Sequence, residues 1–247
     1  MLTVYKFALG PVLLPQALHL RKTALRLPEA QGARSGMAGP GGAGALRVLF
    51  VGDSSVAGVG VDWQQEAMPQ QAAGFIAAAL DRPVCWQVIA RSGITTRGAI
   101  DLFQAQPARP ADIVVTALGV NDVTAQRSAK CFVADYAELL HSVRERTGAS
   151  RAVITGLPPL HILPAAPQPL RWYLGQCASR LDASLRHFCA LDEQRRFIPL
   201  DWAKPQEMAR DRFHPGKAQY RHWAERVAQQ VTTLVQSDPA AQPIASP

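Results

Sequence analysis

Chemistry that runs through metals, thiol pairs or phosphate loops leaves compact signatures in a chain, and those signatures are missing here. No H-E-x-x-H and no close His/Asp cluster occurs, so the expected metal and cofactor content is none. The four cysteines, Cys85, Cys131, Cys177 and Cys189, are widely spaced and form no C-x-x-C. They read as free thiols in a reducing compartment rather than a zinc site or a redox pair. No Gly-Lys-Ser/Thr is present, which excludes a P-loop, and Gly58 and Gly60 are followed by Trp63 where a dinucleotide fingerprint needs its third glycine. The lipase-type G-x-S-x-G elbow is absent as well. Basic residues exceed acidic ones, 26 to 19, but without a block of like charge or an aromatic-interleaved basic motif. A scattered net charge of +7 gives a general preference for anionic surfaces or substrates and no nucleic-acid partner. The apolar run 7–14 is too short to span a bilayer, is interrupted by Pro11 and Pro15, and is followed by no small-x-small cleavage site. Neither a transmembrane span nor a convincing cleavable signal peptide is expected, and the location expected is cytoplasmic, at most peripheral to a membrane.

What remains is an ordinary folding composition: 48% hydrophobic and 18% charged residues over 247 positions, enough for one α/β domain with tails. Apolar runs at 46–52, 83–90, 112–119, 151–156 and 196–201 are rich in Val, Ile and Leu, as suits parallel strands covered on both faces. Helical patterns fall between and after them, at 69–80, 96–105, 128–147, 168–189 and 216–235. This βα rhythm predicts a three-layer αβα sandwich around a five-stranded parallel sheet. The domain is expected over 46–236, preceded by an arm at 1–30 and a Gly/Ala-rich linker at 31–45, and followed by a disordered tail at 237–247. In the arm, Leu18, Leu20, Leu25 and Leu27 mix with Arg21, Lys22 and Arg26. Two readings stay open for it: an amphipathic segment making peripheral contact with an anionic membrane, or an arm packed on the domain.

In open parallel sheets, chemistry gathers at the carboxyl ends of strands. The first such end, Gly52-Asp53-Ser54-Ser55, presents a hydroxyl in a glycine-rich bend. A serine is inert near neutral pH unless a base takes its proton and a third group orients that base. Of six histidines, His161 lies in a Pro-rich loop after the fourth strand, and His214 lies before the last helix with Asp211 three residues upstream. The D-x-x-H spacing lets a tight turn bring the carboxylate to the ring; Asp201 is the spare acid. Asn121 and Gly93 follow two other strands and offer, with the Ser54 N–H, donors for an oxyanion. Leu160, Ile162, Leu163 and Trp172 give the loop 157–169 and its surroundings an apolar surface suited to a substrate pocket.

Taken together, "GDSS", "SGIT", "GVND" and "DRFH" resemble the four signature blocks of the SGNH (GDSL-type) hydrolase superfamily, over roughly 46–236. The resemblance implies a flavodoxin-like αβα fold and metal-free hydrolysis of esters or thioesters through an acyl-enzyme. Ser54 would be the nucleophile, His214 the base and then acid, Asp211 its orienting partner, and Ser54, Gly93 and Asn121 the oxyanion hole. Arg91 stands where the family often has Asn, so the bracing of that loop has to be made differently, and Arg212 stands where Gly is common. The expected activity is a serine esterase acting on small-molecule or lipid esters, short-chain or lysophospholipid-like. Acyl-thioesterase, carbohydrate deacetylase and a catalytically inactive binding module are the alternatives.

Overall fold

Val, Ile and Leu runs do become the central strands. In chain order the sheet contains β1 (Ser35–Ala38), β2 (Leu46–Gly52), β3 (Val84–Ala90), β4 (Ile113–Ala117), β5 (Arg151–Thr155) and β6 (Arg195–Ile198). The computed structural model describes residues 2–40 and 44–237; the expected disordered tail lies outside them apart from Ser237. Strand order is β1-β3-β2-β4-β5-β6, and every pairing is parallel except β1 with β3. Without β1 this is the flavodoxin-like order, whose switch point lies where neighbours are reached in opposite directions, at β2 and its flanking strands.

The sheet therefore has six strands, not five, and the extra one comes from the segment read as linker. Ser35 pairs with Gln87 and Ala38 with Val84, so this short strand covers the edge of β3. Its Ser-Gly-Met-Ala sequence carries no apolar period, which is why the strand was not expected.

Alternation along the buried strands splits the core into two layers. Val48, Phe50, Ile113, Val115 and Val153 face Ile76 of α3 (Met68–Leu80) and Trp223, Val227 and Val231 of α8 (Lys217–Gln236). Leu49, Val51, Val114 and Ile154 face α4 (Thr96–Ala105), α6 (Ala129–Thr147) and α7 (Leu170–Ala190) through Ile100, Phe103, Phe132, Leu139 and Leu185. Capping sets the helix limits locally. Ser128 Oγ accepts from the Cys131 N–H at the start of α6, and Gly148 (φ 82°) ends it with its N–H on the Arg144 carbonyl.

The arm folds into α1 (Leu2–Ala8) and α2 (Gly10–Thr23), the latter running through Pro15. It packs on α7. Leu13 is buried against Leu170 and Tyr173, the Tyr5 and Trp172 rings meet edge to face at 5.3 Å, and the Gln16 amide bonds the Gln168 carbonyl and the Leu170 N–H. Phe7, Leu14 and Leu18 stay exposed on the outside. No described helix is long and apolar enough to cross a membrane.

Candidate active site

Parallel register brings three strand ends to one level. Gly52 pairs with Ala90 on one side and Ala117 on the other, so the loops after β2, β3 and β4 leave the sheet side by side. At Gly52 the chain cannot carry a side chain: a Cβ would sit 2.2 Å from Val56 Cγ2 and 2.7 Å from the Ala117 carbonyl. That close approach lets the chain turn at once and leave Ser54 at the edge of the sheet.

The residues before α8 bring His214 to it. A bridge between Met208 and Pro215, with the Ala209 N–H on the His214 carbonyl at 2.9 Å, folds 208–215 into a tight loop. His214 Nε2 lies 2.9 Å from Ser54 Oγ, and His214 Nδ1 lies 2.6 Å from Asp211 Oδ2. The second oxygen of Asp211 accepts from the Phe213 and His214 N–H groups, both at 3.0 Å. Burial pushes the Asp211 carboxyl upward, but the His214 ring and these backbone donors outweigh it and hold it below the ordinary carboxylate range. A carboxylate so placed keeps the proton on Nδ1 and leaves Nε2 as the acceptor for the hydroxyl. The other five histidines, His161 included, are exposed, as is Asp201.

Loop 54–60 is clamped against this arrangement. The Tyr220 hydroxyl donates to the Val59 carbonyl at 2.7 Å, and Gly60 (φ +110°) passes so close that a Cβ would lie 2.3 Å from the Pro215 carbonyl.

Asn121 is the second residue of the short helix α5 (Val120–Thr124) after β4. Its Nδ2 donates one hydrogen to Asp53 Oδ2 at 3.3 Å, and among the described residues its second hydrogen has no acceptor. Asp53 Oδ1 accepts from the Ser55 N–H and Oγ at 3.0 and 2.9 Å. Burial raises the Asp53 carboxyl against the lowering effect of these bonds. The hold of Asp53 on Asn121 spans 68 positions and carries no local signal in the sequence. Among the described residues, the N–H groups of Ser54 and Gly93 donate to no protein acceptor. Asp122 is buried and binds the Thr96 N–H and hydroxyl at 2.9 and 3.0 Å.

Beside Ser54 and His214 lies an apolar cavity of about 80 Å³, walled by Leu160, Leu163, Leu200, Trp202, Met208, Phe213 and Trp223 among others. Leu160 is there because a one-turn 3-10 segment rotates it inward. Ile162 and Trp172 are not among the lining residues: Ile162 ends that turn, and Trp172 is engaged by Tyr5 of the arm. Leu200, Trp202, Met208 and Trp223 escaped sequence reasoning because they come from the segment after β6 and from α8, and only tertiary packing brings them to the cavity. Among the described residues no group of three or more His, Cys, Asp or Glu is arranged to hold a metal ion.

The sequence model of the GDSL-like lipase/acylhydrolase family matches residues 50–222. No curated protein sequence matches the chain. Among solved structures, the fold is similar to the lipase Lip_vut3 from a goat rumen metagenome, at 18% identity and TM-score 0.60 over 76% of this chain and 97% of that one. It is also similar to TesA, at 20% identity and TM-score 0.58 over 76% and 99% of the two chains. A third similar fold is a carbohydrate esterase family 2 enzyme from Corynascus thermopiles (Myceliophthora fergusii). There the identity is 15% and the TM-score 0.61, over 80% of this chain and 69% of that one.

Proposed function

The chain belongs to the GDSL-like lipase/acylhydrolase family, and from that premise we propose that it is a serine esterase which hydrolyses carboxylic esters of short acyl groups through an acyl-enzyme on Ser54. The observation that carries this reading is the continuous hydrogen-bonded line from Asp211 through His214 to Ser54. His214 Nε2 takes the Ser54 proton as Oγ attacks the ester carbonyl carbon. The carbonyl oxygen becomes an oxyanion held by the Ser54 and Gly93 N–H groups and the second amide hydrogen of Asn121. His214 then gives its proton to the leaving alkoxide, and the alcohol departs. Water, deprotonated by the same ring, attacks the acyl carbon, and collapse of the second oxyanion returns the proton to Ser54 and frees the acid. Asp211 stays ionised throughout and stabilises the imidazolium.

Cavity size supports the short acyl group. At about 80 Å³, and with about 30 Å³ per water-sized group, the cavity has room for roughly two or three non-hydrogen atoms. Beyond the carbonyl, acetyl to butyryl groups carry about one to three carbons and match that space, so short-chain esters are favoured over lysophospholipid-like ones. The acetyl group of an acetylated carbohydrate fits the same cavity and gives the second reading; short acyl-thioesters would follow the same path. For the arm, Phe7, Leu14 and Leu18 are exposed alongside Lys6, Arg21 and Lys22, which supports a peripheral contact with an anionic lipid surface.

The test is a series of p-nitrophenyl esters together with fluorophosphonate labelling. The expected result is labelling of Ser54 that Ser54→Ala abolishes, and a kcat/KM that peaks at two to four acyl carbons, a range of about that length following from the cavity estimate. A folded, unlabelled and inactive wild-type chain would overturn the esterase. A maximum at long acyl chains would overturn the assignment of the cavity to the acyl group.

A further inference from the structure

The loop between β3 and α4 carries Gly93, and its bracing comes from outside the region matched by the family model. Arg91, standing where the family often has Asn, is exposed. The next residue is held instead from the arm. Glu29 Oε1 accepts from both the Ser92 N–H and the Ser92 hydroxyl, each at 2.7 Å. Its other oxygen pairs with Arg34, and Arg34 Nη1 donates to the carbonyl of Ala90, the last residue of β3, at 2.7 Å. The Arg34 carbonyl in turn accepts from the Val88 N–H at 2.7 Å, and β1 begins at the next residue, so Arg34 is tied directly to the strand that ends at this loop and Glu29 is tied to it through Arg34. On its far side the loop is held by Asp122, which binds the N–H and hydroxyl of Thr96 in the same two-bond manner. Gly93, at φ +80° with open space where a Cβ would stand, lies between these two carboxylate tethers, and its N–H is uncommitted among the described residues.

We propose that Glu29, set by Arg34, is a positioning residue of the oxyanion hole: it fixes Ser92 and thereby aims the Gly93 N–H. This rests on the esterase reading above. The physical argument is pre-organisation. A donor helps a developing oxyanion to the extent that it need not reorient when the charge forms, and a loop glycine without a side chain has little else to hold it. Glu29 supplies two charge-assisted bonds to Ser92, one from the N–H of the peptide unit adjoining that donor and one from the side-chain hydroxyl. Its carboxyl is kept below its ordinary range by those bonds and by Arg34, although burial alone acts the other way, so the brace stays ionised at neutral pH. The segment 29–38 thus belongs to the working enzyme.

The experiment compares wild type, Glu29→Ala, Glu29→Gln and Ser92→Ala in the full chain. It measures kcat and KM for p-nitrophenyl acetate and the Ki of an alkylboronic acid that becomes tetrahedral on Ser54. Glu29→Ala is expected to lower kcat by about 10- to 100-fold, less than outright loss of an oxyanion donor, with KM within about twofold. The boronate Ki should rise by the same factor as kcat/KM falls, because both report the tetrahedral state. Glu29→Gln, which keeps an acceptor for Ser92, should recover most of the loss. Should Glu29→Ala fail to fold, Ser92→Ala carries the same comparison with a smaller factor, about threefold or more. Unchanged kcat in Glu29→Ala, a fall in kcat with unchanged boronate Ki, or equal losses in the Ala and Gln variants would overturn the proposal. Failure of the esterase reading is distinct, since it shows as an inactive and unlabelled wild type.

Discussion

At the scale of single residues, the site depends on carboxylates that do different work. Asp211 orients His214, so Asp211→Asn should leave the ring in the wrong tautomer and lower kcat by about 10³- to 10⁴-fold with the fold intact. The same residue makes a prediction about pH. Its folded-state pKa is depressed below the ordinary 3.8, so its stabilising effect is fully present above that value and is lost as pH falls through the lower, folded value. The melting-temperature gap between wild type and Asp211→Asn should therefore shrink as pH is lowered from about 6 to about 3; a constant gap would contradict the depressed value. Asp53 acts on Asn121. Asn121→Ala removes a donor and should reduce kcat by about 10²- to 10³-fold at nearly constant KM, as kinetics on a short ester would show. Ser54, Asp211 and His214 were legible in the sequence because their pattern is local or stands at a strand end. Asp53 to Asn121 and Glu29 to Ser92 were not, because each contact joins residues more than sixty positions apart.

At the scale of elements, legibility followed apolar periodicity. The runs that became β2 to β5 are near-continuously buried or largely so, β6 only partly, and the periodicity of hydrophobic residues is what a sequence displays best. β1 broke that rule: it is an edge strand whose backbone pairs while Met37 stays exposed, so its sequence has little reason to be apolar. The arm is a related case. Its leucines left two readings open, a membrane contact or packing on the domain, and one buried residue, Leu13, seats α2 on α7. Leu13→Asp should release α1 and α2, seen as faster tryptic cleavage after Arg21 or Lys22 while ester hydrolysis by the remaining domain persists. Unchanged cleavage kinetics would contradict the seating of the arm.

At the scale of the whole molecule, the parallel sheet sets the level at which chemistry can assemble. Gly52, Ala90 and Ala117 end adjacent strands in register, and the loops beyond them supply Ser54, Gly93 and Asn121. The fourth contribution, the 208–215 loop, delivers His214 and Asp211 as one folded unit and shares Met208 and Phe213 with the cavity wall. The central claim is that these parts make Ser54 a nucleophile. Its most direct test is to quench p-nitrophenyl butyrate turnover within the first catalytic cycle and map the acylated peptide by mass spectrometry. The account predicts a butyryl group on Ser54, absent in Ser54→Ala and in His214→Ala. An acyl group on Ser55 or on a cysteine, or hydrolysis undiminished in Ser54→Ala, would contradict it.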